Sequence, residues 1–168
     1  MRSSRVVVGT LLFLVVAPGV VAGVIPWVLT GWERGDVFGS LVLVRVAGGV
    51  VLVVGVTVLL EAFARFVLEG RGTPAPVAPT ERLVVGGLYR FVRNPMYLAV
   101  GAAIVGQAFL LGRPILLVYA AVFFVIVAAF VHWYEEPTLA RRYGAQYEAY
   151  RRAVPGWLPR RTPWRGEV

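Results

Sequence analysis

Two adjacent glutamates, Glu135 and Glu136, close a long apolar run and stand directly before Pro137. Carboxylates at the edge of an apolar segment are costly to desolvate, and they are often functional where they occur. The competing reading is structural: acids at the start of a helix opened by Pro137 would meet its positive end. That accounts well for one glutamate and less well for two. Upstream, Arg93-Asn94-Pro95-Met96-Tyr97 has the form of a helix start, with Asn94 as N-cap and Pro95 at the first helical position. Free backbone N–H groups at such a start, beside Arg93, suit a carboxylate or phosphate. Tyr97 lies one turn further in, facing either a ligand or the membrane interface. Together the two sets offer both signs of charge, as a zwitterionic small molecule requires. His132 stands one turn before the glutamates, and a lone histidine at a helix end is more often structural than a proton carrier.

The rest of the composition limits what these residues can do. Cysteine is absent from the 168 residues, which excludes disulfides, thiolate metal sites and cysteine nucleophiles. One histidine cannot make a multi-histidine zinc site, and no metal is expected. All 17 basic residues are Arg, so there is no lysine Schiff base and no P-loop lysine. The chain is 58% apolar and 15% charged, with a mean hydropathy of +0.74. Soluble domains carry about 25% charged residues. The net charge of +8 therefore points away from nucleic acid, which needs a soluble basic face, and toward Arg marking the cytoplasmic side of a bilayer.

The elements that must position these groups are read as an all-α integral membrane protein, one domain over residues 1–168. Four spans are expected, at about 6–29, 37–66, 95–111 and 114–134, each an apolar run. The first continues past Ala22 and is longer than a usual signal-peptide core, so it is expected to stay uncleaved, with a bend near Pro18-Gly19. Glu61 and Arg65, spaced i,i+4 near the end of the second, form an ordinary surface ion pair on this reading, and Arg45 snorkels. Gly101, Ala102, Ala103 and Gly106 would let the third helix approach a neighbour or a ligand closely. Gln107 is placed to make an interhelical hydrogen bond. Pro114 opens the fourth span, and Gly112-Arg113 makes a tight hairpin between the last two.

Arg residues concentrate at the N-terminus, in the connection 69–94 and in the tail 135–168. Only Arg34 and Arg113 lie in the opposite loops. The positive-inside rule then puts both termini in the cytoplasm. In the tail, Leu139, Tyr143, Tyr147 and Tyr150 recur at helical spacing among arginines, an amphipathic helical segment at headgroup level.

Two stretches resemble a known family. Gly87-Leu88-Tyr89-Arg90-Phe91-Val92-Arg93-Asn94-Pro95-Met96-Tyr97-Leu98 is similar to the GxYRxxRHPxYxG signature of a membrane methyltransferase superfamily. That superfamily includes isoprenylcysteine carboxyl methyltransferases, phospholipid N-methyltransferases and small prokaryotic relatives. Glu135-Glu136-Pro137 through Tyr143-Gly144, Tyr147, Tyr150 and Val154-Pro155-Gly156-Trp157-Leu158-Pro159 resembles its C-terminal EEPxLxxxFGxxYxxYxxxVPRWLP block. The resemblance covers roughly residues 82–160.

It implies S-adenosylmethionine as methyl donor, S-adenosylhomocysteine as product, and a site on the cytoplasmic face of the prokaryotic inner membrane. The implied cofactor residues are Asn94, Pro95, Tyr97, Glu135 and Glu136; Arg93 by its charge, Tyr89 and Tyr147 by their rings and Gly101 by its small size are expected to join them. Asn94 stands where the family often has His, which leaves a hydrogen-bonding group without a titratable ring. The implied acceptor is a lipid or amphiphile within the bilayer. A carboxylate acceptor would want a cation such as Arg90 or Arg151, and an amine would need help in losing a proton, from Glu136 or His132. The alternatives are a non-enzymatic four-helix membrane protein, either a small transporter or a structural or regulatory protein, and a reductase sharing the membrane fold. A transporter would want a carboxylate near mid-membrane, whereas the acids here lie at span ends. The residues assign no oligomeric state.

Overall fold

The computed structural model describes residues 12–13, 15–35, 37, 41–65, 68 and 83–166. The stretch 69–82 and most of the first dozen residues, including the N-terminal arginines, lie outside the described residues. Among the described residues the chain forms five continuous helices. These are α1 (Val15–Thr30), α2 (Val42–Arg65), α3 (Pro95–Leu111), α4 (Ile115–Tyr143) and α5 (Ala145–Ala153). A short 3-10 turn, Gly87–Arg90, leads into α3.

The expectation of four membrane spans, and the topology built on it, is corrected to two. Among the described residues, only α2, with a mean hydropathy of 2.5 over its most apolar stretch, and α4, at 2.7, are long and apolar enough to cross. At 1.5 Å per residue α2 reaches about 36 Å, more than the hydrocarbon thickness of about 30 Å. The described part of α1 reaches only about 24 Å and α3 about 26 Å. Chemistry fixes the short length of α3 at both ends. Pro95 cannot extend the helix backward, and Gly112 ends it in a left-handed turn at φ 67°. Its apolar character serves packing: Ala99, Val100, Ala103, Ile104 and Ala108 are all buried. By contrast, only 17% and 22% of the apolar stretches of α2 and α4 are buried, leaving faces suited to lipid.

α2 and α3 pack with their backbones almost touching. A Cβ at Gly48 would stand 2.5 Å from the Leu110 nitrogen, and one at Gly106 2.5 Å from that of Leu52. Gly55 makes the same approach to Ala99 and Ala103. Small residues at such a crossing replace the hydrophobic drive that lipid does not provide. Gly101 faces the other way, where a Cβ would collide with the Phe124 ring of α4. The resulting core joins Leu59 and Phe63 of α2, Ile104 of α3, and Leu116 and Ala120 of α4.

Two helices continue through prolines by widening just before them. In α1 a π turn, Val20–Val24, precedes Pro26. The irregularity therefore lies beyond the expected Pro18-Gly19. Pro26 has no N–H to give Ala22, and Ile25 donates to Val20 in the π turn, so the carbonyls of Ala22 and Val21 lack their i+4 donors. Tyr119 donates its hydroxyl to Val21 at 2.8 Å, and Gln107 donates its amide to Ala22 at 2.7 Å. The expected interhelical bond of Gln107 thus closes a defect in a neighbouring helix. In α4 a π turn, Val131–Glu135, precedes Pro137; Glu135 closes it and Glu136 opens the α-helical stretch that follows.

Candidate functional site

The start of α3 is held by the C-terminal tail. Arg93 donates its backbone N–H to Pro155 at 2.9 Å, Arg160 to Phe91 at 3.0 Å, and Trp164 to Arg90 at 2.9 Å. Asn94 occupies the N-cap position but makes no side-chain cap; its amide donates to the Gly156 carbonyl at 3.1 Å. The asparagine therefore secures the tail. The Arg90 Nε donates to the Trp164 carbonyl at 2.6 Å, and the Tyr150 hydroxyl donates to the Tyr89 carbonyl at 2.6 Å. Tyr147, Tyr150 and Val154 form a small buried core of their own beneath this clasp.

Within that frame the two chemical sets meet. Tyr97 donates its hydroxyl to Glu135 Oε2 at 2.9 Å. Arg93 Nη1 donates to Glu136 Oε1 at 2.5 Å and to the Tyr147 hydroxyl at 3.1 Å, while its Nε binds the Val154 carbonyl at 3.0 Å. The Arg93 and Glu136 side chains are each only 14% exposed, so the pair is shielded far more than a surface bridge. Arg151, on the open side, lies 3.6 Å from Glu136 Oε2. Burial raises the Tyr147 phenol above its ordinary pKa, and the Glu136 charge adds to the rise. Burial raises Tyr150 as well. Both phenols stay neutral hydrogen-bonding groups at working pH.

The cluster thus holds two carboxylates and two guanidinium groups around two phenols. Residues about forty positions apart reach it because α3 starts at the level where the apolar part of α4 ends.

Of the expected site residues, Arg93, Tyr97, Glu135, Glu136, Tyr147 and Arg151 come together here. Pro95 is buried at the start of α3, and Asn94 and Tyr89 are buried in the clasp. Arg90 is tied to the clasp and also lines a neighbouring cavity. Gly101 packs against Phe124, and His132 is exposed with its ring edge-on to Trp133. Sequence reasoning missed the tail contacts of Arg160 and Trp164. It also missed the placement of Glu61 and Arg65 beside Gly87, which no local pattern announces.

The described residues thus form a bundle of apolar helices with a polar cluster where α3 starts and the apolar part of α4 ends. Residues 43–146 match the model of the phospholipid methyltransferase family, and the chain belongs to that family. It is accordingly an S-adenosylmethionine-dependent methyltransferase associated with the membrane. No curated protein and no solved structure matches the chain.

Proposed function

We propose that the cluster of Arg93, Tyr97, Glu135, Glu136, Tyr147 and Arg151 binds the methyl donor, and that the acceptor is the head of an amphiphile reached from the bilayer. One observation carries this reading: the two sequence blocks meet through the Tyr97–Glu135 and Arg93–Glu136–Tyr147 contacts. The donor set fits the group, since equal numbers of carboxylates and guanidinium groups suit a ligand with both an ammonium and a carboxylate. S-adenosylmethionine supplies a methyl group already activated on a sulfonium, so the protein's part is alignment and exclusion of water.

Glu135 and Glu136 would receive the ammonium or the ribose hydroxyls. Arg151, the more exposed cation, would receive the carboxylate. Arg93 is a positioning residue, because its guanidinium already holds Glu136, Tyr147 and the tail. Tyr97, half-buried at the edge of the cluster, offers an aromatic face to the adenine or the sulfonium. Arg141, Arg142, Arg151 and Arg152 crowd this end of the molecule, which supports a site on the cytoplasmic face of the inner membrane.

The acceptor is a carboxylate of the isoprenylcysteine kind or an amine of the phospholipid kind. Membranes incubated with methyl-tritiated donor test the reading. The label is expected in the organic phase of a lipid extract, and not in a Glu135→Gln/Glu136→Gln variant. Label confined to the aqueous phase would overturn the amphiphile reading.

A further inference from the structure

The end of the bundle away from the donor cluster carries a second set of charges. At 1.5 Å per residue, the start of α4 at Ile115 lies about 30 Å along the helix from Glu135. Here the loop after α1 folds onto the hairpin between α3 and α4. Gly35 donates its backbone N–H to Leu111 at 2.7 Å, and a Cβ at Gly35 would stand 2.7 Å from the Gly112 oxygen and 3.0 Å from Arg113 Cδ. Arg45 reaches the same glycine from α2. Among the described residues its hydrogen bond runs from Nη2 to the Gly35 carbonyl at 3.2 Å, while Nε is buried without an acceptor. Leaving such a donor buried and unmade is unfavourable unless a ligand supplies the acceptor.

The surrounding charge calls for an anion. Arg45 lies in the first turn of α2, and Arg113 stands just before α4. Both cations are therefore at the positive ends of helices, where anions are favoured and cations are not. Arg34, exposed on the loop after α1, adds a third. Glu33 lies 3.7 Å from Arg113 Nη2, but its side chain is 81% exposed, and a surface pair of that kind is weak.

An apolar cavity of about 310 Å³ adjoins these groups, with Trp32, Leu52, Leu110 and Leu111 among its walls. Arg45 and Leu52 are two turns apart on one side of α2, and the Leu111 carbonyl is the group that holds Gly35. Trp32 keeps a left-handed backbone, at φ 56°, that a bulky residue rarely adopts. Its exposed indole is of the type that sits at headgroup depth.

We infer that this end of the molecule holds a phospholipid with a net negative head, its phosphate between Arg45 and Arg113 and an acyl chain in the cavity. The phosphate brings the acceptors that Arg45 lacks. An ammonium on the same head would meet two positive helix ends and three guanidinium groups. Bound there, the lipid pins the loop after α1 to the α3–α4 hairpin. The site is separate from the donor cluster and does not rest on the methyl-transfer reading.

The test uses the full chain in neutral detergent, titrated with phosphatidylglycerol, phosphatidylcholine or glycerol phosphate and read by thermal melting and native mass spectrometry. Phosphatidylglycerol is expected to raise the melting temperature saturably and to stay on the chain as a single bound lipid. Phosphatidylcholine and glycerol phosphate at the same concentrations should do neither. Arg45→Gln should weaken phosphatidylglycerol binding about tenfold or more, as befits loss of charge-assisted hydrogen bonds. Leu52→Trp, which fills the cavity, should weaken it too. Arg141→Gln/Arg142→Gln, which removes exposed charge at the other end, should leave it unchanged. If Arg45→Gln does not fold, the more exposed Arg113→Gln carries the same expectation.

Equal binding of phosphatidylcholine, or an equal shift from glycerol phosphate alone, would overturn the inference. So would undiminished binding in the Arg45→Gln, Arg113→Gln and Leu52→Trp proteins, or no saturable effect of phosphatidylglycerol on the wild type.

Discussion

Arg93 is the residue on which the proposed donor cluster turns. It makes four contacts, to Glu136, Tyr147, Val154 and, through its backbone, Pro155. Replacing it with Ala leaves the shielded Glu136 carboxylate with only the more exposed Arg151 beside it; breaking a buried pair outright costs about 3–5 kcal/mol, an upper bound here. Arg93→Ala is therefore expected to lower the melting temperature in detergent sharply, while Arg93→Lys recovers part of it. Tyr97→Phe is milder. It removes one hydrogen bond to Glu135, worth about 1.5–3 kcal/mol for a charged acceptor. Donor affinity, read by titration, should fall about tenfold or more with the fold intact; an unchanged affinity would place Glu135 outside the donor site. These residues are legible in the sequence because acids beside an apolar run and an Arg at a helix start are unusual in themselves. Glu61 and Arg65 are not, since an i,i+4 pair looks like any solvated helix face until Gly87, far along the chain, is folded against it.

At the scale of elements, prolines decide where helices widen and what must then repair them. Gln107→Leu leaves the Ala22 carbonyl without its donor, and an unsatisfied buried acceptor costs about 1–3 kcal/mol. Pro26→Ala returns the missing N–H to α1. The double variant Gln107→Leu/Pro26→Ala should therefore be more stable in thermal melts than Gln107→Leu alone, a positive coupling in the cycle. Additive losses would show that the π turn does not depend on that proline. The apolar runs are plain in the sequence, yet hydropathy alone does not separate a helix buried by protein from one facing lipid. α3 is apolar because α2 and α4 enclose it, and this is why four expected spans become two among the described residues. The Gly112 turn and the small residues of α3 are legible as signals. The direction each glycine faces, Gly106 toward α2 and Gly101 toward Phe124, depends on tertiary packing.

For the whole molecule, the absence of lysine and cysteine leaves an uncommonly clear alkaline window. Between about pH 9 and 11 the side chains that titrate are tyrosines. Burial holds Tyr147 and Tyr150 above their ordinary pKa in the folded protein. The unfolded chain therefore releases these protons first. The stability they contribute is fully present below the unfolded value and is lost as pH rises toward the folded one. The melting temperature should fall across this window, and Tyr147→Phe/Tyr150→Phe should flatten the fall; an equally steep fall in the variant would contradict the assignment.

The tail that covers these tyrosines also ties the start of α3 to α5, so the polar cluster and the C-terminal clasp should be lost together on unfolding. The direct test of the central claim is calorimetric titration of the detergent-purified protein with S-adenosylmethionine and S-adenosylhomocysteine. Saturable binding of both is predicted, abolished in Glu135→Gln/Glu136→Gln while the variant keeps its melting transition. Undiminished affinity in that variant, or no binding by the folded wild type, would contradict the claim that this cluster holds the donor.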